Sequence, residues 1–390
     1  MPSIDSRVVT LPDESESESA SREKIPTTSI ADSSANHPPQ LSTQPSPNNN
    51  DTTSPSTPNL LPPSTFHLKP PPSPPNLSPR LTPTPKIFQT AHFGTTHINP
   101  TTYTLRITGL VTTPLTLTLR DLKTLLPSKT LTATHECYGS PLNPPPTQPL
   151  YRIANLTWTG VRLSDILALA GPLHPTASHI WASAPDRGVF GGARAECYEK
   201  DLPLSKALAP EVMLAWGLNG EPLGPEHGGP LRLVVPGWFG TNSVKWIKEV
   251  RVEGGRGRGV FTTCFYNEPD PEGPEGAWRP VWGVQVNSMV VRPGAGEVVS
   301  AGEGVRVEGW AWGCEAVGRV DVSSDGGVSW EVAELEERVG FGWQGFSIVL
   351  QLGVGRHTVT ARATSRDGSI QPLSGTRNHC HSVEFEVVVT

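Results

Sequence analysis

The stretch Glu226-His-Gly-Gly-Pro-Leu-Arg-Leu-Val-Val-Pro-Gly-Trp-Phe-Gly-Thr-Asn-Ser-Val-Lys-Trp-Ile-Lys-Glu-Val-Arg-Val252 is the most informative part of this chain. Its run Leu-Arg-Leu-Val-Val at 231–235 predicts a buried strand between two turns rich in glycine and proline, and a second strand-like run follows. His227, Arg232 and Lys245, which donate hydrogen bonds or carry positive charge, are dispersed through these turns. Backbone N–H groups at glycine-rich turns, flanked by such donors, suit a buried anionic ligand such as a phosphate-bearing cofactor.

Length and composition exclude several classes of protein. The 390 residues leave room for two or three domains. The net charge of -6 argues against a general nucleic-acid-binding protein. No run of about 18 apolar residues occurs, so no membrane span is expected. The 5 cysteines are widely spaced, without a C-x-x-C pair, and indicate a reducing compartment rather than a disulfide framework or a zinc site. Because the N-terminus is acidic and resembles no signal peptide or presequence, we expect a cytosolic protein, and a mitochondrial or peroxisomal location stays open.

The N-terminal segment at 1–84 has the composition of a disordered tail. Pro, Ser, Thr and Asn dominate it, and Phe66 is its only aromatic residue. Such a segment cannot bury enough apolar surface to offset roughly 1–2 kcal/mol of backbone entropy per residue. The proline cluster at 70–75 is most simply a spacer, and the alternative is a polyproline II ligand for a partner.

The segment after the tail shows mixed patterning. Apolar residues alternate with polar ones at 103–107, as on a half-buried strand. Helices are predicted at 120–126 and directly after Ser164, which is a good N-cap residue. The pair Asn219-Gly220 is typical of a tight hairpin turn. These patterns predict an α+β domain over residues 85–258, with several strands and few long helices.

The remainder of the chain changes to purely β patterning. A Gly/Pro-rich linker is predicted at 259–285. After it, short runs rich in valine alternate with Asp-Gly turns at 325–326 and 367–368. This spacing predicts an immunoglobulin-like sandwich over 286–390, although without the Cys…Trp…Cys signature of antibody domains.

The opening stretch resembles the molybdenum-cofactor domain of the sulfite oxidase family, where a His-Gly-x-Pro-x-Arg-x-Val-Val-Pro-Gly run leads to Val-Lys-Trp. Gly309-Trp-Ala-Trp312 and Arg319-Val-Asp-Val-Ser-Ser-Asp-Gly-Gly-Val-Ser-Trp330 resemble the dimerisation domain that follows it in sulfite oxidases and plant-type nitrate reductases. The end also matches, since Gln371-Pro372 and Asn378-His-Cys-His-Ser-Val383 are similar to the family's Gln-Pro and Asn-x-x-His-x-Val. The resemblance covers nearly everything after residue 85. It implies a molybdenum–molybdopterin cofactor and a homodimer.

Cys137 and Tyr198 are the catalytic-centre candidates that the resemblance implies. A lone cysteine is more often a small buried apolar residue. Here Cys137 lies in a Glu-Cys-Tyr-Gly turn that matches the family's metal-binding turn, and a thiolate is a soft ligand suited to a redox-active metal. Tyr198 matches the family's tyrosine beside the metal, where a phenol donates a hydrogen bond or relays a proton. The alternative for Tyr198 is a core tyrosine with a satisfied hydroxyl.

The same resemblance implies a set of cofactor-binding residues. The arginine would hold the phosphate with two hydrogen bonds, the lysine would add charge, and the hydroxyl groups would bind the pterin. Each residue on its own could equally be a surface or capping residue. The set is His92, Asp186, His227, Arg232, Thr241, Ser243 and Lys245.

The chain departs from the family where sulfite is bound. Thr90 and Ala91 stand where the family has Arg and Asn, and Tyr138-Gly-Ser-Pro-Leu142 follows the cysteine where the family has Ala-Gly-Asn-Arg-Arg. A third arginine is replaced around Trp343-Gln344. A buried dianion requires compensating cations. Arg152, Arg187 or Arg194 could supply them, and the sequence leaves the choice open.

The resemblance implies an oxidoreductase that transfers an oxygen atom, with sulfite to sulfate as the first candidate reaction. We expect electrons to pass to an external acceptor, because neither a haem domain nor a flavin domain accompanies these segments, which argues against a complete nitrate reductase. Two alternatives stay open. The first is a relative that acts on a less anionic substrate, and the second is a catalytically silent dimeric scaffold.

Overall fold

Strands form most of the regular structure, and the helices are short. The computed structural model describes residues 67–69, 77–140 and 152–389, all within one compact unit, Asn59–Thr390. The domain predicted as α+β is therefore mostly β. Within these ranges no helix is both long and apolar enough to cross a membrane. The helices are α1 (Leu119–Leu125), α2 (Leu163–Leu169), α3 (Leu204–Ala207) and α4 (Val260–Thr263), and 3-10 turns occur at Thr84–Lys86, Pro225–His227 and Gly240–Asn242.

The first part of the described chain builds two five-stranded sheets around one core, with three additional two-stranded pairs. Its strands are β1 (His67–Lys69), β2 (Gln89–Ala91), β3 (Thr104–Gly109), β4 (Leu115–Thr118), β5 (Lys129–Glu136), β6 (Ile153–Arg162), β7 (His179–Ala184), β8 (Gly188–Phe190), β9 (Ala193–Ala195), β10 (Tyr198–Pro203), β11 (Met213–Leu218), β12 (Glu221–Pro222), β13 (Arg232–Val234), β14 (Glu249–Glu253), β15 (Asn267–Pro269) and β16 (Trp278–Pro280). One sheet has the order β10-β7-β14-β3-β4, with β3 and β14 parallel. The other has the order β12-β11-β6-β5, and β13 pairs with β11. The two-stranded pairs are β1-β2, β8-β9 and β15-β16. Ile107 of β3, Val161 of β6 and Ile166 of α2 are fully buried in the shared core, so both sheets and a helix hold the site region together.

The N-termini of α1 and α2 differ in whether a local capping motif stabilises them. Helix α1 begins with a capping box in which Thr118 and Asp121 exchange hydrogen bonds. The N-cap prediction for α2 is wrong, because the N-cap position is Arg162 and Ser164 lies inside the first turn. Strand β6 continues directly into α2, and the N–H of Leu163 donates to the carbonyl of Val212 at 2.9 Å. This hydrogen bond to a residue distant in sequence satisfies an N–H group of the first helical turn, which a capping side chain would otherwise do.

The N-terminal boundary of order is earlier than predicted. The predicted tail lies outside the described residues at 1–66 and 70–76. Within the described part, however, His67–Lys69 pairs with Gln89–Ala91, and Leu77 is 1% exposed. Leu77 packs in a cluster with Trp310, and its carbonyl accepts a hydrogen bond from the indole of Trp310 at 2.8 Å. Contacts with the second half of the chain therefore order a segment whose own composition is too polar to do so.

The segment at 259–285 is also more ordered than the predicted linker. It carries α4 and the hairpin of β15 and β16. Phe261 is 1% exposed and belongs to the core of the first part. The aromatic side chains of this segment supply apolar area that its glycines and prolines lack.

The second part of the chain is built from strands in two further sheets. Its strands are β17 (Asn287–Arg292), β18 (Val298–Ser300), β19 (Val305–Trp312), β20 (Val317–Ser323), β21 (Glu331–Val332), β22 (Glu334–Leu335), β23 (Gln344–Leu350), β24 (Gly355–Ser365) and β25 (Ser382–Val388). The sheet orders are β17-β19-β23-β22 and β18-β25-β24-β20-β21. Val307, Val320, Ala361 and Phe385 come from both sheets and are buried in one core. A separate cluster that includes Phe239, Trp310 and Trp343 packs the two parts against each other.

Candidate functional site

A cavity of about 760 Å³, its open mouth included, lies where the end of β5, the start of β10 and the turns around β13 meet. Every site residue predicted from the sequence borders it. These residues are His92, Cys137, Asp186, Tyr198, His227, Arg232, Thr241, Ser243 and Lys245. The structure thus brings together residues that come from many separate segments of the chain.

Cys137 is held by the turn that follows β5. Its N–H donates to the carbonyl of Arg152 at 2.9 Å, and its own carbonyl accepts hydrogen bonds from Ser140 N at 3.0 Å and from Arg377 Nη2 at 3.0 Å. The thiol is half-buried on the cavity wall. A thiol at such a position is accessible to a ligand from one side and fixed by backbone hydrogen bonds on the other.

Arg232 and Lys245 place two cations on the cavity wall, the first buried and the second partly buried. The guanidinium of Arg232 donates to the carbonyls of His227 at 2.8 Å and Ser243 at 3.0 Å. The ammonium of Lys245 donates to the carbonyls of Glu226 at 2.7 Å and Thr90 at 3.0 Å. Burial lowers the pKa of Arg232 to about 9, and burial together with the nearby Arg232 lowers the pKa of Lys245 to about 7. An anion bound between them would reverse both shifts, because opposite charge stabilises the charged form.

The backbone brings Lys245 to this position by a close approach. Gly228 follows the 3-10 turn Pro225–His227 and has a φ of +100°. A Cβ on Gly228 would lie 2.8 Å from the Cβ and Cγ of Lys245, which is closer than real contacts allow. Glycine is therefore required both by the backbone conformation and by the neighbouring side chain.

Several buried polar atoms on the cavity wall have no hydrogen-bond partner among the described residues. They include Asp186 Oδ1, Thr90 Oγ1 and Trp158 Nε1. Burial raises the pKa of Asp186 to about 7. A ring system with both donors and acceptors would satisfy these atoms, and a phosphate would satisfy the cations. The residues present therefore fit a phosphorylated pterin.

The phenol groups of Tyr198 and Tyr266, which we call the phenol cluster, border the same cavity. The hydroxyl of Tyr198 donates to the carbonyl of Thr241 at 2.7 Å. The hydroxyl of Tyr266 and Nε2 of His92 are hydrogen-bonded at 2.5 Å. Burial raises the pKa of both tyrosines, while burial and then Lys245 lower the pKa of His92 to about 4. At neutral pH both phenols are protonated and His92 is neutral.

Tyr266 was missed by the sequence reasoning. It borders the cavity with a φ of +58°, a left-handed conformation that is rare for tyrosine. Its segment Phe261-Thr-Thr-Cys-Phe-Tyr266 was assigned to a linker. The density of aromatic residues there was the available signal, because a solvated linker rarely carries three of them in six positions. His135 and Trp158 also border the cavity without having been predicted.

The structure separates the arginines that the sequence left as alternatives. Arg187 and Arg194 are exposed, and Arg194 pairs with Glu196 at 2.6 Å. Arg152 directly precedes β6 and lies opposite Cys137, which directly follows β5, and the N–H of Cys137 donates to the carbonyl of Arg152 at 2.9 Å. Trp343 donates to the carbonyl of Arg80 at 2.9 Å, and Gln344 accepts from Val317 N at 2.8 Å, so both serve packing within the fold.

Comparison with known proteins matches both parts of the chain. The family model described as "Oxidoreductase molybdopterin binding domain" matches residues 92–260, and that described as "Mo-co oxidoreductase dimerisation domain" matches residues 279–384. The mitochondrial sulfite oxidase of Homo sapiens is 31% identical over 323 residues, which are 75% of this chain and 57% of that protein. The nitrate reductase [NAD(P)H] of Hordeum vulgare is 30% identical over 66% of this chain and 32% of its own length.

A solved structure shares the same architecture. The sulfane dehydrogenase SoxCD from Paracoccus pantotrophus superposes with a TM-score of 0.67 at 26% identity, over 81% of this chain and 86% of that chain. The chain spans about half the length of the curated relatives that it matches. Because both domain models match in order and the fold agrees, the chain belongs to the sulfite oxidase family, whose cofactor is molybdenum–molybdopterin.

Proposed function

We propose that this chain catalyses oxygen-atom transfer to a small substrate, with sulfite as the first candidate, and passes the electrons to an external acceptor. In the candidate reaction sulfite and water become sulfate, with release of two protons and two electrons. The observation that carries the proposal is that a half-buried thiol, a buried arginine, a partly buried lysine and the phenol cluster border one cavity. The molybdenum cofactor, when bound, would supply two-electron redox chemistry and oxygen-atom exchange.

The chain's own residues would bind and orient the cofactor. Cys137 would hold the metal through its thiolate, and Arg232 and Lys245 would hold the phosphate. Asp186 and the hydroxyl groups of Thr241 and Ser243 would bind the pterin ring, with His92 and His227 as further donors. A preorganised set of this kind avoids reorganisation when charge changes at the centre.

Hydrogen-bond donation to the substrate falls to the phenol cluster, Tyr198 and Tyr266. Tyr198 donates to a backbone carbonyl, while Tyr266 is hydrogen-bonded to the neutral imidazole of His92. Because burial raises the pKa of both phenols and lowers the pKa of His92, the phenols stay protonated and would act as neutral hydrogen-bond donors to a bound substrate. We therefore propose a catalytic role for Tyr198, supported by the Tyr266–His92 pair.

A second candidate keeps the chemistry and changes the substrate. Thr90 and Ala91 border the cavity where the family has Arg and Asn, which favours a substrate less anionic than a sulfite dianion. A catalytically silent scaffold is the remaining alternative.

The C-terminal part, proposed as an immunoglobulin-like sandwich, would pair two subunits, as the description of its family model suggests. If the protein is a homodimer, light scattering coupled to gel filtration should give twice the mass of the chain. We also propose a cytosolic location, which imaging of a tagged protein would test.

Metal content tests the proposed function. We expect protein from a host that makes the cofactor to carry stoichiometric molybdenum, measured by mass spectrometry. Cys137→Ala should lose the molybdenum and keep its circular dichroism spectrum and unfolding midpoint. Cys264→Ala, at an exposed cysteine, is the matched control and should keep the metal.

Two outcomes would redirect the proposal. Well-folded wild-type protein without molybdenum would favour the scaffold. Metal-loaded protein that does not reduce ferricyanide in the presence of sulfite would rule out sulfite and favour the second candidate.

A further inference from the structure

We propose that Arg152 binds the substrate beside Cys137 and that this substrate is a small oxyanion held by a single guanidinium. The inference rests on the proposed function and concerns its substrate class. It assigns to this chain a cation at a position other than those in which its family carries the sulfite-binding arginines.

The register of the β5–β6 pair places Arg152 next to the thiol. Strands β5 and β6 are antiparallel, and Glu136 pairs with Ile153. Cys137 and Arg152 lie one residue beyond these strand ends, and the N–H of Cys137 donates to the carbonyl of Arg152 at 2.9 Å, which continues the pairing by one position. Side chains of directly opposed residues project from the same face of an antiparallel pair, with Cβ atoms about 4.5–5.5 Å apart. The guanidinium therefore extends from the strand neighbour of the proposed metal ligand.

The space around Gly139 shows that both groups reach the same point. A Cβ built on Gly139 would lie 3.7 Å from Arg152 Nη1, 3.8 Å from Arg152 Nη2 and 3.8 Å from the Sγ of Cys137. Both terminal nitrogens and the thiol thus lie within van der Waals distance of the position that a Cβ on Gly139 would occupy. The buried Nε of Arg152 has no hydrogen-bond partner among the described residues. The guanidinium therefore has donors to offer to a ligand at the thiol.

The other arginine near the thiol is already neutralised. Arg377 forms an ion pair with the buried carboxylate of Glu136 at 2.7 Å and donates to the carbonyls of Cys137 and Tyr138. Arg232 and Lys245 line the part of the cavity proposed to hold the phosphate. Among the described residues, Arg152 is thus the guanidinium beside Cys137 that has no carboxylate partner.

The chemistry of a lone guanidinium defines the substrate class. Its planar fork matches two oxygen atoms of an oxyanion through parallel N–H···O bonds. A neutral thioether or sulfoxide would leave a partly buried cation uncompensated, which is costly. One cation matches one negative charge, so a singly charged oxyanion such as hydrogen sulfite fits better than a dianion that needs several cations.

Equilibrium binding of methanesulfonate, a redox-inert oxyanion with one negative charge, to molybdenum-loaded protein tests the assignment without turnover. Calorimetry should show that Arg152→Gln weakens methanesulfonate binding by about 10- to 100-fold, as expected for loss of a charge-assisted hydrogen bond. Arg152→Lys should recover part of this loss. Arg194→Gln, at an exposed arginine paired with Glu196, should bind methanesulfonate like the wild type. Wild-type protein that binds no methanesulfonate, or Arg152→Gln that binds it unchanged, would overturn the proposal.

Alkylation of the cofactor-free full chain supplies a second readout. The rate at Cys137 is measured by peptide mass spectrometry with anionic iodoacetate and with neutral iodoacetamide. If Arg152 docks an anion beside the sulfur, Arg152→Gln should lower the iodoacetate-to-iodoacetamide rate ratio by about fivefold or more. An unchanged ratio would contradict the assignment even if the loaded variant could not be prepared.

The two readouts distinguish this inference from the proposed function. Wild-type protein with neither molybdenum nor ferricyanide reduction would sink the proposed function and the substrate assignment with it. Molybdenum content and activity that survive in Arg152→Gln, with unchanged methanesulfonate affinity and alkylation ratio, would remove only the role of Arg152.

Discussion

Asp186 and His92 show how burial sets the charge of single residues at the cavity. Burial raises the pKa of Asp186 to about 7 and, with Lys245, lowers the pKa of His92 to about 4. Between these values both groups are mainly neutral in the folded protein, although both are largely ionised in an unfolded chain near pH 5. The folded protein therefore keeps a neutral pair of pterin-facing groups over the acidic range.

Asp186→Asn is expected to change how stability depends on pH. In wild type, the unfolded chain loses the aspartate proton near pH 4 and the folded chain only near pH 7, so the free energy of unfolding falls as pH rises through this window. Asparagine cannot ionise and should remove that fall. Urea denaturation of the cofactor-free protein should show the variant more stable than wild type by roughly 1–4 kcal/mol at pH 8, with little difference at pH 4.

The contribution of His92 cancels in this comparison because both proteins carry it. Glu275→Gln, at an exposed carboxylate, is the control and should track the wild type at both pH values. An Asp186→Asn effect of equal size at pH 4 and pH 8 would show that the carboxyl group is not held neutral by burial.

At the scale of elements, turns determine where the cations lie. The 3-10 turn Pro225–His227 and the left-handed Gly228 bring the backbone against Lys245. The Asn219-Gly220 turn predicted from the sequence is confirmed, since both residues have positive φ and join β11 to β12. The turn at Gly228 borders the cavity, whereas the turn at Gly220 only connects two strands. Substitutions at these two glycines can therefore be compared directly.

Gly228→Ala should be more harmful than an equivalent change at Gly220. Both positions have positive φ, which costs alanine about 1–2 kcal/mol. Gly220 has open space around it, whereas a Cβ at Gly228 would also collide with Lys245 and cost about 1–3 kcal/mol more. Denaturation should reveal this difference in the free energy of unfolding, and Gly228→Ala should also lower the molybdenum content because Lys245 is displaced. Equal losses in the two variants would show that backbone strain alone matters.

At the scale of the whole molecule, the second part of the chain holds the turn that carries the thiol. Arg377 pairs with Glu136 at 2.7 Å, and the indole of Trp312 donates to the same carboxylate at 2.9 Å. The side chain of Glu136 is 0% exposed and that of Arg377 is 10% exposed. The proposed metal ligand at 137 is therefore positioned partly by residues more than 170 positions later in the chain.

Arg377→Met should destabilise the protein by roughly 3–5 kcal/mol, because it leaves the Glu136 carboxylate buried without its partner. The double variant Glu136→Gln/Arg377→Met should recover much of this loss, since no uncompensated charge then remains. Arg366→Met, which breaks an exposed pair with Glu337, is the control and should cost no more than about 1 kcal/mol. Chemical denaturation measures all three, and a double variant no more stable than Arg377→Met would contradict the buried-charge explanation.

Motifs and local periodicity predicted the change from mixed to purely β patterning and part of the cavity lining, but not Tyr266, His135 or Trp158. Residues close in sequence determine turns such as Asn219-Gly220, capping boxes such as Thr118–Asp121 and alternating strands, because those structures depend on local backbone geometry. The resemblance to a known family then identified Cys137, Arg232 and Lys245, which the structure places at one cavity.

Three features were decided only by the tertiary structure. The pairing of β5 with β6 places Arg152 beside Cys137. The fold brings Tyr266 into hydrogen-bonding contact with His92, and packing between the two parts of the chain brings Arg377 to Glu136. None of these contacts leaves a periodic or motif signal, since each depends on how distant segments meet. Local chemistry dictated which elements form, and the packing of those elements decided which cation and which phenol face the thiol.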